Sequence, residues 1–295
     1  MIDPIAPRRP FGGQYGWISP FIIEVRRYLG LEKKQLPSKD KKLVPILVEK
    51  AAQGIIEEGK QIGKLIEAEE LAKQLREQKD KGMEEVWKRC AYLYSLESFL
   101  YIKLNEVMRL IGGKEHEQIW KNKVRTLGPF CLLLWDDPIN TKMKTNTKLY
   151  RGANLTDNQI ATYEEMAKHP DEYRSFQAFT SCSRNLEKAK EFGNTLFIME
   201  VEGAFIADIS DLSQCPDEEE ELMSPGVCFS VQGVEFDRKV KKRCIYLKLA
   251  QRYYAKNKNE VQTTKKTFDE YDDIYDDDYI PVYRRVNRDG DFVGE

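Results

Sequence analysis

At Thr147 the hydrophobic period of this 295-residue chain changes, and that change constrains the fold more than any other feature of the sequence. Upstream, apolar residues recur at steps of three and four. Val44, Leu47, Ala51, Ile55, Ile62, Leu65 and Ile66 make one such series. Val86, Cys90, Leu93, Leu100, Leu104, Val107 and Ile111 make a second, with Trp87, Ala91, Tyr94, Tyr101 and Met108 beside it. The second stripe is wide enough to predict one helix over 83–111, buried on much of its circumference and stopped by Gly112-Gly113. The stretch 67–81 is nearly all charged or small and reads as a solvated helix face or coil. Downstream of Thr147 the period shortens towards two. Strands are expected over 148–151, 176–181, 195–202, 204–209, 219–222, 226–236 and 243–249, with short helices over 156–168 and 186–192. Thr156 with Gln159 three residues on has the capping-box pattern. A helical half followed by a strand-rich half points to an α+β protein in which helices pack on two antiparallel β-sheets.

Punctuation and charge set the boundaries. Residues 1–40 are rich in Pro and Gly and read as an irregular arm with one short helix near 21–29, docked through Trp17, Phe21 and Ile22. A helical lobe is expected over 41–140 and a β-sandwich core over 147–252, which together form one domain over 41–252. Residues 253–295 read as a flexible acidic tail in which Tyr271, Tyr275 and Tyr279 interrupt a run of Asp. Hydrophobic residues make up 41% of the chain, enough for a sizeable core. The net charge of −2 offers no global basic field, so nucleic acid is not an expected partner. The six cysteines form no CxxC pair, so no metal site is expected and the thiols read as reduced, in a cytoplasmic protein. No apolar run reaches the roughly 18–20 residues that span a bilayer.

Three short signals lie in the strand-rich half: Leu149-Tyr150-Arg151-Gly152, then Phe179-Thr180-Ser181-Cys182-Ser183, then Glu218-Glu219-Glu220-Glu221-Leu222-Met223-Ser224-Pro225-Gly226. Each has an ordinary reading by itself: a surface arginine, a turn, a solvated acidic run. Together they are harder to dismiss, because the acidic run abuts a strand pattern and alternation would put Glu219 and Glu221 on one face. Arg151 precedes Ser181 by 30 residues, and Ser181 precedes Glu221 by 40.

In this order and spacing the signals resemble the arginine–serine–glutamate class of mono-ADP-ribosyltransferases, over roughly residues 85–250. The resemblance implies transfer of ADP-ribose from NAD, the co-substrate, with loss of nicotinamide and no metal. It implies that NAD lies in a split cleft between the two sheets. Arg151 would brace the NAD phosphates or ribose. Gly152 would let the backbone approach the nicotinamide amide, and Phe192 would pack on the nicotinamide ring. Ser181 would hold Glu221 and touch the ribose. Glu221, fixed as the catalytic glutamate by the Leu-Met-Ser-Pro-Gly that follows it, would stabilise the charge of an oxocarbenium-like transition state. Glu219 would orient or deprotonate the acceptor, and a glutamate there favours a protein arginine as acceptor. Tyr101 and Asn105, four apart on a helix, fit the family's tyrosine and asparagine that line the cleft. Cys182 departs from the usual threonine between the two serines, without an expected loss of activity. The loop 210–217, which carries acceptor recognition in the family, holds no aromatic residue. Glycohydrolysis with water as acceptor, a non-catalytic NAD- or partner-binding module, and a scaffold are the rival readings.

Overall fold

The structure is a computed structural model and describes residues 19–31, 35–96, 98–111, 114–139 and 144–250. The expected acidic tail over 253–295 and most of the N-terminal arm lie outside these residues. The first half contains seven helices among the described residues: α1 (Pro20–Tyr28), α2 (Leu43–Gln61), α3 (Leu65–Arg76), α4 (Met83–Ser95), α5 (Phe99–Arg109), α6 (Glu117–Asn122) and α7 (Val124–Trp135). The second half holds β1 (Thr147–Ala153), α8 (Asp157–Ala167), β2 (Arg174–Ser175), β3 (Thr180–Ser183), α9 (Leu186–Glu191), β4 (Thr195–Gly203), β5 (Ile206–Asp208), β6 (Glu220–Met223), β7 (Cys228–Asp237) and β8 (Lys242–Ala250).

Helix α7 is the axis of the helical half, and every residue named along it from Thr126 to Trp135 is buried. Helix α2 passes so close that a Cβ on Gly54 would lie 1.9 Å from the Thr126 carbonyl oxygen. Gly54 therefore serves close packing in an unbroken helix, although glycine by propensity weakens one. Trp87 of α4 donates its indole N–H to the Leu134 carbonyl at 2.9 Å, which fixes α4 to the same axis. Two expectations change here. The stretch 67–81 is not wholly solvated, because Ala68, Leu71, Ala72 and Leu75 form a buried stripe on α3. The single helix expected over 83–111 is two, α4 and α5. Leu96 and Ser98 are extended, and the Ser95 hydroxyl turns back to the Tyr92 carbonyl at 2.9 Å, a local bond that competes with helix continuation.

The strands form one mixed eight-stranded sheet in the order β2-β7-β8-β4-β1-β3-β6-β5, in place of the two antiparallel sheets expected. The alternation of a strand shows which side chains share a face but not which strand it pairs with. The last strand, β8, enters between β7 and β4 and runs parallel to β4, joining what would otherwise be separate ladders. One face is covered by α8, where Tyr163 meets Phe197 edge-on at 5.4 Å, and carries the main core of Leu149, Met199, Val231, Ile245 and Leu247. The other face packs Leu196, Ile198 and Tyr246 against Leu186 and Ala189 of α9. The capping box at Thr156–Gln159 is formed as read. No helix among the described residues is long and apolar enough to cross a membrane.

Candidate active site

The sheet is weakest between β1 and β3. Their ladder has a single residue pair, Tyr150 opposite Ser183, whereas β1 and β4 on the other side pair over seven residues. Arg151 stitches this gap: its Nη1 donates to the Ser181 carbonyl at 2.5 Å. The first two sequence signals thus meet, by a charge-assisted hydrogen bond across a near-split in the sheet. An open cavity of about 150 Å³ lies over the gap.

Strand register decides which side chains share a face, and the cavity takes residues from both, among them the neighbours Tyr150 and Arg151 and the whole of Ser181-Cys182-Ser183. Opposed residues in an antiparallel pair share a face. Ser181 opposes Leu222 and Ser183 opposes Glu220, so the two serines, Glu220 and Tyr150 lie on one face. Cys182 opposes Glu221 and lies on the other. The cavity wall includes Arg151, Gly152, Ser181, Ser183, Phe192 and Tyr101, together with Glu218 and Glu220. Cys182 is buried in the main core, and burial pushes its thiol pKa up to about 12.

The acidic run divides its labour in a way that spacing alone does not show. Glu219 sits in the left-handed region at φ 47° and closes a 3-10 turn over Pro216–Glu218, so strand β6 starts one residue later, at Glu220. Glu220 is 9% exposed and lies on the cavity wall. Glu221 is completely buried and is not on that wall. Its Oε1 accepts from Lys144 Nζ and, at 2.8 Å, from Arg184 Nη1, while its Oε2 has no hydrogen-bond partner among the described residues. Glu219 and Glu221 do converge, but on Arg184, whose Nε lies 3.5 Å from Glu219 Oε2. Arg184 also pairs with Asp208. Its hydrogen bond to Asp208, with Glu221 adding to it, holds the Arg184 guanidinium above its ordinary pKa. Ser183 fastens the turn: its hydroxyl donates to the Glu218 carbonyl at 2.5 Å and accepts from the Asn185 amide at 2.8 Å.

The helical half supplies one wall through Tyr101. Asn105 is 1% exposed and does not line the cavity. Its amide donates to the Tyr94 hydroxyl at 2.9 Å and to the Tyr101 carbonyl at 3.1 Å. Tyr94 in turn donates to the Phe179 carbonyl at 3.1 Å and stacks edge-on with Tyr101 at 5.0 Å. Asn105 thus ties α5 to the approach of β3 through Tyr94. Gly152 has a packing reason besides its place on the wall, since a Cβ there would fall 2.4 Å from the Ala189 carbonyl oxygen and 2.5 Å from that of Phe192. Phe192 follows α9 and leaves its ring 48% exposed at the cavity.

Sequence reasoning singled out neither Lys144 nor Arg184, and took Glu218 and Glu220 only as parts of the acidic run. The signal for Glu220 was present in part: it has the same strand parity as the paired serines once the strand start is known. Lys144 carried none, because it lies in a polar connector and reaches Glu221 only through a bridge between Lys144 and Ala204.

The model of the family described as NAD:arginine ADP-ribosyltransferase matches residues 68–253. Among solved structures, the type III effector XopAI from Xanthomonas axonopodis pv. citri is similar with a TM-score of 0.50 at 12% identity, covering 79% of this chain and 94% of that one. The ADP-ribosyltransferase HopU1 of Pseudomonas syringae pv. Tomato DC3000 has a TM-score of 0.45 at 19% identity over 56% of this chain and 77% of its own. Exoenzyme S from Pseudomonas aeruginosa has a TM-score of 0.44 at 16% identity over 77% of this chain and 97% of its own. At such identities the XopAI likeness is one of fold. No curated protein sequence matches the chain.

Proposed function

The chain belongs to the NAD:arginine ADP-ribosyltransferase family, and from that premise we propose that it moves ADP-ribose from NAD to the guanidinium of a protein arginine, releasing nicotinamide. The observation that carries this reading is the convergence of Arg151, Ser181 and a buried glutamate at one cavity over a near-split in the sheet. The chemistry of the wall suits the substrate. Arg151 offers a cationic fork for a phosphate or ribose. Tyr101 and Phe192 offer aromatic faces for the nicotinamide ring. The cavity is smaller than the ~300–1,000 Å³ of pockets that enclose a whole ligand, which suits one end of a dinucleotide with the remainder lying in the open groove.

Within this reading Glu220 binds the ribose hydroxyl and offsets the positive charge that grows on the sugar as the bond to nicotinamide breaks. Ser181 stands beside it on the same face. Glu219, half-exposed at the mouth of the turn, orients the acceptor. A second assignment, Glu221 in place of Glu220, is favoured by one observation: Glu221 is followed directly by Leu222-Met223-Ser224-Pro225, the spacing on which the resemblance rests.

The test measures nicotinamide release and ADP-ribosyl product with and without agmatine, a soluble guanidine. Glu220→Gln is expected to lower kcat by about 10²–10³ with little change in KM for NAD. Glu221→Gln is expected to lower it far less. The reverse ranking would mean that strand β6 works one residue out of the register described. Release of nicotinamide that agmatine neither speeds nor captures would favour glycohydrolysis. A folded parent chain with no turnover would overturn the transferase reading.

A further inference from the structure

The turn between β7 and β8 and the first two residues of β8 hold five cations in six positions: Arg238, Lys239, Lys241, Lys242 and Arg243. None of them has a carboxylate at ion-pair distance among the described residues. Asp237 opposes Lys242 in the hairpin, but its Oδ1 accepts from the amides of Lys239 at 2.7 Å and Val240 at 3.4 Å. The Lys242 ammonium goes elsewhere. It donates to the Phe192 carbonyl at 2.8 Å and to the Gly193 carbonyl. Alternation puts Lys242 on the face of Cys244 and Tyr246, the face that α9 covers, which is why its stem reaches the end of that helix.

The loop it meets is held unevenly. Asn194 is fixed by its own bonds: its amide donates to the Ala153 carbonyl at 3.1 Å, its carbonyl accepts from the Arg243 amide at 3.2 Å, and its side chain makes two bonds of 2.9 Å to the Leu155 backbone. Phe192, the extended residue after the six-residue α9, has only a 3.3 Å bond from its amide to the Ala189 carbonyl besides the one from Lys242. Its ring is half-exposed at the cavity, so apolar packing does little to fix it. The sheet itself does not need Lys242, because β4 and β8 already pair from Thr195 opposite Arg243 to Gly203 opposite Ala250. Lys242 is not on the cavity wall.

We propose that Lys242 is a positioning residue for NAD: its ammonium bridges the Phe192 and Gly193 carbonyls and so sets the stance of the Phe192 ring at the cavity. The proposal rests on the reading that this cavity takes the nicotinamide end of NAD, and adds to it a residue from a distant hairpin. An ammonium suits the task, because its three donors can serve two carbonyls at once. A ring held in place before the ligand arrives spares the ordering cost of binding. Lys242 thus acts on NAD only through Phe192.

The experiment is a double-mutant cycle on the full chain, read by titration calorimetry with carba-NAD, an analogue whose bond to nicotinamide is not cleaved. The variants are Lys242→Met, Lys242→Arg, Phe192→Ala and the double variant Lys242→Met with Phe192→Ala. Lys242→Met keeps the stem and loses the donors, and should weaken carba-NAD binding roughly five- to tenfold. Lys242→Arg should stay within about twofold of the parent, because it keeps donors for both carbonyls. With Phe192 already replaced, Lys242→Met should cost less than about twofold, since the residue through which it acts is gone. In turnover, Lys242→Met should raise KM for NAD by the calorimetric factor with kcat nearly unchanged. If Lys242→Met does not fold, Lys242→Gln, with one amide donor left, takes its place and should fall between Met and Arg. The same loss in both backgrounds, or no loss in any folded Lys242 variant, would overturn the proposal. Binding that follows the cycle without any turnover would uphold the role of Lys242 and reject the transferase reading. A folded parent that does not bind carba-NAD would reject the NAD site, and the role of Lys242 with it.

Discussion

Each half of the molecule buries a glutamate almost completely, and the two are treated differently. Glu58, on α2 in the helical half, is 1% exposed, and Glu221, on β6 in the sheet, is 0% exposed. Both oxygens of Glu58 are satisfied: Lys123 Nζ lies 3.0 and 2.8 Å from Oε1 and Oε2, and the Thr126 hydroxyl donates to Oε1 at 2.5 Å. Glu221 has two cations on one oxygen and nothing on the other among the described residues. A buried charge that serves only the fold is expected to have its lone pairs used, since each bare one costs free energy. Glu58 meets that standard and Glu221 does not. The contrast separates a carboxylate that locks two helices from one that holds its partners provisionally, beside a cavity.

The sharpest way to break the comparison is to remove the saturated partner. Glu58→Leu leaves Lys123, which is 23% exposed, with the Gln61 side-chain oxygen at 3.1 Å and no counter-charge from Glu58, and leaves the buried Thr126 hydroxyl with only a 3.4 Å contact to the Lys123 carbonyl. Removing one member of a buried pair costs about 3–5 kcal/mol, and the partial exposure of Lys123 places this case near 3. Urea unfolding followed by circular dichroism measures it. A loss below about 1 kcal/mol would show that the helical pair is no more tightly built than the one in the sheet.

Asp136, at the C-terminal end of α7, supplies a third kind of buried carboxylate, one held by hydrogen bonds with Lys39 acting on its charge only as a lesser influence. It is 4% exposed and accepts from the Ser38 amide at 2.7 Å and the Ser38 hydroxyl at 2.8 Å. Burial raises its pKa to about 6, against the opposing pull of those two bonds. The sign follows from linkage. Between its ordinary value near 3.8 and about 6, the folded chain keeps a proton that the unfolded chain has released. Asp136 therefore contributes stability that is full below the ordinary value and lost as pH rises through about 6, on the order of 2–3 kcal/mol in all. Unfolding free energies of the parent and Asp136→Asn, compared between pH 4 and pH 7, should diverge by that amount. Parallel pH profiles would place Asp136 with the satisfied group, alongside Glu58.

How much of this was legible in the sequence depended on whether the information was local. The change of period at Thr147, the capping box at Thr156 and the run of strands were local and were read. The order and spacing of Arg151 and Ser181 were local too, but their contact across the sheet was not. The division of the acidic run was not. Four identical residues contain no alternation, and their facing is set by the left-handed turn at Glu219 and by pairing with β3. The order of strands in the sheet was equally hidden, since the parallel entry of β8 beside β4 joins residues about fifty apart in sequence. Gly54 illustrates the reverse case: its residue type argued against a long helix, and the contact that requires it, with Thr126, is made by a helix seventy residues later.

The smallest effect is expected where the comparison is most informative. Glu221→Gln keeps an oxygen that can accept from Lys144 and Arg184, and it places an amide nitrogen where the parent has an unpartnered oxygen. Lys144 and Arg184 are 26% and 32% exposed, so each can regain water once the charge between them is gone. The loss should be about 1 kcal/mol, within the range of exposed pairs and well under that of Glu58→Leu. Chemical denaturation of the two variants, run side by side, sets the ratio. If Glu221→Gln costs as much as Glu58→Leu, the Glu221 cluster is a structural lock and Arg184 is part of it. If it costs little, strand β6 keeps its place through its backbone ladder to β3, and the charges around Arg184 are not what holds it there.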